Sequence, residues 1–102
     1  MTTLPSPALA PLLATLRTHL PRLMAQYRMK SLELFGSYVR NEQNADSDLD
    51  VLVEFDEAPS LFEFIRLENE LSDILKVKVD LVMKDSLKPT IGQRILAEAV
   101  PV

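Results

Sequence analysis

A pair of aspartates at the head of an apolar segment most constrains how this chain can fold. Asp48 and Asp50 stand two positions apart, where the largely apolar segment Leu49–Phe55 begins. Side chains two positions apart in a β-strand project from the same face, with Cα atoms roughly 6.5–7 Å apart. The segment is therefore predicted to be a strand that turns Leu49 and Val51 into a core and leaves both carboxylates on the other face.

The remaining hydrophobic pattern predicts helices that alternate with short strands. Helical spacing marks residues 8–27, 60–75 and 90–100, and apolar or alternating runs mark strands at 32–35, 49–55 and 77–83. One helical turn and a polar turn should follow Gly36, and Pro21 should kink or split the first helix. We expect one α/β (α+β) domain over residues 1–102, a small mixed sheet of three or four strands with flanking helices, and fraying at 1–7.

Two details of the predicted helix at 60–75 can be checked against the structure. Ser60 and Glu63 have the form of a capping box, in which the Ser60 hydroxyl accepts from the Glu63 N–H. Phe62, Phe64 and Leu67 are expected in the core, and the exposed remainder of this helix, or the last helix, could meet a partner chain.

Composition narrows the possible functions. The 102 residues include no cysteine, which excludes disulfides, thiolate zinc sites and cysteine nucleophiles and suits a reducing cytoplasm. No apolar run approaches the roughly 20 residues that a membrane span needs, and no signal peptide is expected. A net charge of −4 disfavours direct binding to nucleic acid through its phosphates.

The aspartates suggest a site for a divalent cation. Two carboxylates on one face repel each other unless a positive charge lies between them, and Mg²⁺ prefers such hard oxygen ligands together with substrate phosphates. Asp80 lies within the predicted strand at 77–83. If that strand neighbours Leu49–Phe55 in register, Asp80 completes a cluster of three carboxylates that can hold two metals for displacement at phosphorus.

The Gly36-Ser37 pair is the second candidate element of the site. Glycine allows close approach of the backbone to a ligand, and Ser37 and nearby N–H groups could bind a triphosphate. Arg40 could add positive charge there, or could be a solvated side chain paired with Glu42. An isolated Asp-x-Asp or a polar Asp80 on an edge strand is also common, so the ordered combination carries the interpretation.

The combined motif resembles a known family. Phe35–Arg40 followed by Ser47–Val53 is similar to the minimal nucleotidyltransferase (MNT) group of the DNA polymerase β superfamily. The similarity extends across about residues 20–102. It includes the segments Leu67–Leu71, Val79–Val82 and Ile95–Val100.

This resemblance implies a reaction and a partner. Enzymes of the superfamily transfer a nucleoside monophosphate from a nucleoside triphosphate to a hydroxyl and release pyrophosphate. By resemblance, Asp48 and Asp50 would ligate the metals, Asp80 would assist one metal and the attacking hydroxyl, and Gly36 and Ser37 would hold the triphosphate. Stand-alone members are typically antitoxins, which implies transfer of AMP from ATP, with Mg²⁺, to a tyrosine of a HEPN-domain ribonuclease toxin in a hetero-oligomer.

Two departures from the family pattern leave alternatives open. Asn41 stands where glycine usually follows the arginine, and Val39 stands where alanine is common and adds bulk near the turn. Asparagine tolerates a left-handed backbone better than other non-glycine residues, so the turn is expected to survive. The alternatives are an antitoxin that masks its toxin without chemistry and a nucleotidyltransferase acting on RNA or a small molecule, which usually carries a further substrate-binding domain.

Overall fold

The computed structural model describes residues 7–102, in which helices and strands alternate. The expected fraying at 1–7 therefore falls, except for Pro7, outside the described residues. The elements are α1 (Leu9–Tyr27), β1 (Met29–Phe35), α2 (Ser37–Arg40), β2 (Leu49–Phe55), α3 (Leu61–Leu75), β3 (Val79–Met83), a 3₁₀ helix (Lys84–Ser86), α4 (Pro89–Glu98) and β4 (Val100–Pro101).

The strands form a mixed sheet in the order β3-β2-β1-β4. β1 runs antiparallel to β2 and β4, whereas β2 and β3 are parallel, as a helical crossover through α3 requires. The α+β class and the mixed sheet are confirmed. β4 was not predicted, and it begins where the hydrophobic pattern places the end of the last helix. A two-residue strand that includes a proline is too short to show an alternating pattern.

The core lies between the sheet and the pair α1 and α3. Leu49, Val51 and Val53 of β2 turn to this side and are completely buried. The helices contribute leucines at helical spacing, namely Leu9, Leu13, Leu16, Leu23, Leu67, Leu71 and Leu75. α1 runs through Pro21 without a break, so Pro21 does not split the first helix, while the alternative of a kink stays a prediction. Buried leucines before and after Pro21 anchor both halves of the helix on the sheet.

Three helices end at a left-handed residue that is not glycine. Arg28, Asn41 and Lys76 follow α1, α2 and α3 with φ of 53°, 59° and 57°, in the left-handed region that usually favours glycine. At the start of α3, the Ser60 hydroxyl accepts from the Glu63 N–H at 3.2 Å. The Ser60 cap is therefore confirmed, although Glu63 meets the Ser60 hydroxyl and not the Ser60 N–H. Asn41 adopts the left-handed conformation expected where asparagine replaces glycine.

Some apolar residues expected inside lie at the surface. Phe62 is 86% exposed, so its placement in the core is wrong, while Leu67 is fully buried and Phe64 packs against the core. Five positions before Leu67 correspond to about 140° around the helix, which turns Phe62 away from the sheet. α4 forms as predicted, but its Ile91 remains 53% exposed.

Candidate active site

The register between β2 and β3 brings two carboxylates together. Asp50 pairs directly with Asp80, and both strands turn their neighbouring apolar residues to the core. The two side chains therefore share the sheet face opposite α1 and α3, on strands about 4.8 Å apart. The condition that the sequence left open, that the Asp80 strand should neighbour Leu49–Phe55 in register, is met.

Asp48 lies immediately before β2, beside the start of β3. The N–H of Leu49 donates to the carbonyl of Lys78 at 2.8 Å, which fixes the backbone next to Asp48. The Asp48 carboxylate lies 3.9 Å from the ammonium group of Lys78. Because Lys78 is strongly exposed, this pair is screened by water and leaves Asp48 accessible.

Asp50 is the carboxylate on this face whose pKa is shifted by its surroundings. Its pKa is raised from 3.8 to about 6, first by burial and then by the negative charges of Asp80 and Asp48. The positive charge of Arg40 opposes the shift and Glu98 adds to it. An excess of negative charge around a half-buried carboxylate is the environment that a bound cation would relieve.

The donors fit Mg²⁺ only together with a ligand. Among residues 7–102, no three acidic or histidine side chains are arranged to enclose a metal ion by themselves. Mg²⁺ is commonly held by one or two carboxylates, with substrate phosphates and water filling its octahedral shell. The oxygens of Asp48, Asp50 and Asp80 provide the right chemistry for such a shared site.

Gly36 forms the edge of the site against Asp50. Its φ is +84°, and a Cβ at this position would lie 1.9 Å from the Asp50 carboxylate oxygen Oδ2. Phe35, the last residue of β1, pairs with Asp50 across the sheet, so the chain must pass this carboxylate as it leaves the strand. Both the backbone conformation and the space therefore require glycine.

The short helix α2 continues from this turn. The carbonyl of Gly36 accepts from the N–H groups of Val39 and Arg40 at 3.1 Å, which closes the turn. Tyr38 and Val39 pack against the hydrophobic core. The additional bulk of Val39 is thus directed into the core, and Ser37 at the start of the helix is half-buried beside Gly36.

Arg40 is held by two carboxylates. Its Nε donates to Glu42 at 3.1 Å and its NH1 group lies 3.0 Å from both oxygens of Glu98. The Glu98 carboxylate also accepts from the N–H of Gly36 at 2.7 Å. Glu98 cannot be identified from the sequence, because a contact across 62 positions between a helix end and a turn leaves no local pattern.

An open cavity of about 410 Å³ adjoins Asp48. Its walls include Tyr38, Ser47, Lys76 and Lys78, from α2, the loop before β2 and the connection between α3 and β3. The cavity therefore meets the site at Asp48, and its charged border combines Lys76 and Lys78 with Asp46. Among the helices of residues 7–102, no segment has both the length and the apolar character needed to cross a membrane.

The sequence and the fold match known proteins over most of the chain. Residues 16–102 match the family described as nucleotidyltransferase domain. The chain is 47% identical over 87 residues to the protein adenylyltransferase MntA of Thermococcus cleftensis, covering 85% of this chain and 88% of that protein.

Solved structures extend the likeness to the fold. A minimal nucleotidyltransferase shares 37% sequence identity with a TM-score of 0.76, over 88% of this chain and 92% of that one. A complex described as tri-AMPylated Shewanella oneidensis HEPN toxin with MNT antitoxin has a TM-score of 0.65 at 21% identity. That match covers 88% of this chain and 70% of the other, and shows a common fold alone.

Proposed function

Because this chain belongs to the nucleotidyltransferase domain family, we propose that it is an antitoxin that transfers AMP from ATP to a tyrosine hydroxyl of a cognate HEPN-domain toxin. The observation that carries the chemistry is the pairing of Asp50 with Asp80 on one sheet face, with Gly36 pressed against Asp50. Carboxylates beside a glycine turn suit the joint binding of a cation and a polyphosphate.

The carboxylates and the glycine turn have different proposed tasks. Asp48 and Asp50 would hold Mg²⁺ together with the phosphates of ATP, and Asp80 would contribute to the same cluster. Gly36 and Ser37 would receive the triphosphate, since a Cβ at position 36 would close the space beside Asp50. Bound Mg²⁺ would neutralise the negative charge that develops on the phosphate oxygens, and two ions could share that role.

The proposed transfer balances as a single displacement at phosphorus. The tyrosine oxygen forms a bond to the α-phosphorus of ATP while the bond from that phosphorus to the bridging oxygen breaks, so pyrophosphate leaves. The hydroxyl proton must be removed as the new bond forms, and the exposed Asp80 carboxylate is the acceptor that we propose. The products are an AMP-tyrosine ester and pyrophosphate.

The relatives support the acceptor class. The Thermococcus protein is named a protein adenylyltransferase, and the Shewanella complex pairs an MNT antitoxin with an AMPylated HEPN toxin. A protein acceptor would bring its own hydroxyl to the open carboxylate face. We also propose that the chain acts in the cytoplasm, which supplies ATP and suits a cysteine-free sequence.

The decisive experiment combines the chain with its cognate HEPN-domain toxin. The pair is incubated with Mg²⁺ and ATP labelled in the α-phosphate, and the toxin is analysed by intact mass and peptide mapping. The proposal expects added AMP on a tyrosine and loss of ribonuclease activity. Binding of the pair without any label on the toxin would contradict it.

Asp48→Ala separates catalysis from masking. If the variant binds the toxin but no longer neutralises it, neutralisation depends on the transfer. If it neutralises as well as the wild type, the chain acts by covering the toxin, and the chemistry is dispensable. Offering labelled RNA or small hydroxyl compounds in place of the toxin tests the remaining acceptors, and efficient label transfer to one of them would replace the toxin as substrate.

A further inference from the structure

We propose that Arg40 and Glu98 form a latch that holds the Gly36 turn, so that Arg40 is a positioning residue acting through Glu98 and not a ligand of the triphosphate. The inference rests on the proposed nucleotide site but assigns a task that neither the sequence motif nor the relatives provide. It concerns three contacts, those of Glu98 with Gly36 and Arg40, and that of Arg40 with Glu42.

The first step is the charge on Arg40. Its guanidinium lies against two carboxylates, Glu42 at 3.1 Å and Glu98 at 3.0 Å, and their hydrogen bonds raise its pKa. Two negative charges around one positive charge leave no net positive charge for a phosphate. A phosphate ligand at this position would first have to break bonds that already satisfy the side chain.

The second step is the unequal burial of the two partners. The Glu98 side chain is 27% exposed, whereas that of Glu42 is 64% exposed. The contact with Glu98 is thus the less exposed of the two, and its charge-assisted hydrogen bonds should contribute more than those to Glu42. Glu42 is expected to contribute little.

The third step is the bond to the backbone. The N–H of Gly36 donates to the Glu98 carboxylate at 2.7 Å. The positive φ of Gly36 is what lets the chain pass Asp50. Glu98 ends α4, and Val100 of the following β4 pairs with Leu34 of β1. The latch therefore joins the last helix and strand to the turn that would receive the triphosphate, and Arg40 holds the Glu98 carboxylate in position.

A double-mutant cycle distinguishes a latch from a ligand. Dissociation constants for ATP with Mg²⁺ are measured for the wild type, Arg40→Ala, Glu98→Ala and the double variant, with melting temperatures for each. Glu98→Ala should weaken ATP binding roughly tenfold, as expected for losing a charge-assisted hydrogen bond. Arg40→Ala should weaken it in the wild-type background and add less than about twofold in the Glu98→Ala background, because coupled residues are not additive.

Two further variants complete the design. Glu98→Gln can still accept from the Gly36 N–H and should recover part of the affinity, whereas Glu42→Ala should change it by less than about twofold. If Glu98→Ala does not fold, Glu98→Gln takes its place in the cycle. Equal losses on removing Arg40 in both backgrounds would overturn the proposal and make Arg40 a phosphate ligand.

Tighter ATP binding by Glu98→Ala would also overturn the proposal, since Glu98 would then be an anion that competes with the triphosphate. These readouts need no toxin, so their result is separate from the proposed acceptor. If ATP binds and the cycle is non-additive while the toxin stays unlabelled, the latch stands and the acceptor is wrong. If the wild type binds no ATP, the proposed function fails, and the cycle in melting temperature still tests the latch.

Discussion

The two faces of the sheet are built on opposite principles, although the same strands supply both. On the α1 and α3 side, Leu49, Val51 and Val53 of β2 are completely buried among leucines. On the other side, Asp50 of the same strand stands beside Asp80 and close to a glycine with a positive φ. Alternation within β2 therefore places the stabilising residues and the candidate chemistry one residue apart.

Polar groups show the same contrast. On the helical side, the buried Tyr27 hydroxyl donates to Glu70 at 2.7 Å, and Glu70 also pairs with Arg22. Burial and then that hydrogen bond raise the pKa of Tyr27 to about 12, which keeps it a neutral donor. On the other side, Asp50 lies among like charges. The helical face pairs its polar groups, whereas Asp48, Asp50 and Asp80 gather negative charge at one end of the other face. Farther along that face, Lys84 pairs with Glu33 and Glu54. The contrast is therefore local to the Asp50 cluster, where function can oppose stability.

The largest expected effect comes from a substitution on the Asp50 face of the sheet. Asp50→Asn keeps the shape of the side chain but removes its charge, so transfer of AMP should fall by about 10³-fold, roughly 4 kcal/mol of transition-state stabilisation. The rate of label transfer at saturating ATP and toxin measures it. Asp56→Asn, an exposed aspartate just after β2, is the matched control and should retain full activity.

The next largest effect comes from a substitution in the core between the sheet and the helices α1 and α3. Leu71→Ala removes a completely buried side chain from α3 and should lower the free energy of unfolding by about 2–5 kcal/mol. Chemical denaturation measures the loss. Leu61→Ala, at a residue of the same helix that is 71% exposed, should change it by less than about 0.5 kcal/mol. Comparable losses from the two variants would contradict the assignment of the core.

Gly36→Ala tests the boundary between the faces. The new methyl group would lie 1.9 Å from the Asp50 carboxylate in a backbone with positive φ, so unfolding should become easier by about 1–3 kcal/mol, and transfer should fall. Gly92→Ala is the control, because its Cβ would lie 3.3 Å from Leu87 within a helix, with an expected change within about 1 kcal/mol. A Gly36→Ala protein with normal stability and activity would show that the turn relaxes freely.

Features carried by local patterns could be predicted from the sequence. Alternation around Asp48 and Asp50 placed the strand and its two faces, and the register of Asp80 followed once β2 and β3 proved to be neighbours. The left-handed Asn41 was expected from the conformational tolerance of asparagine. These features depend on residues close in sequence or on one strand pairing.

Features set by distant contacts could not be predicted. Glu98 meets Gly36 only through the packing of α4 and β4, and Arg40 therefore looked available for phosphate. Phe62 is apolar but faces away from the sheet, since the orientation of α3 is fixed by Leu67, Leu71 and Leu75. Composition gives the number of apolar side chains, whereas burial depends on which face of each helix the sheet receives.

The smallest expected effect is the loss of folding stability that the ionised Asp50 causes in the protein without ligands. The pKa of Asp50 is about 6 in the folded chain against an ordinary 3.8, so folding favours its protonated form. Well below pH 3.8 both states are protonated and nothing is lost. The penalty grows as pH rises through 3.8 towards 6, and it is complete well above pH 6. Asp50→Asn carries no such penalty.

The variant should therefore gain stability over the wild type as pH rises through this window, by at most about 1 kcal/mol because a half-buried carboxylate is screened by water. Urea denaturation of both proteins from pH 4 to 8, without nucleotide or divalent metal, measures the difference, and Asp56→Asn should show none. A flat or inverted difference would mean that Asp50 is stabilised by partners in the folded chain. The expected result would instead show that Asp50 lowers the stability of the fold. Together with the loss of transfer in Asp50→Asn, it would show that the same side chain opposes folding and is required for the reaction.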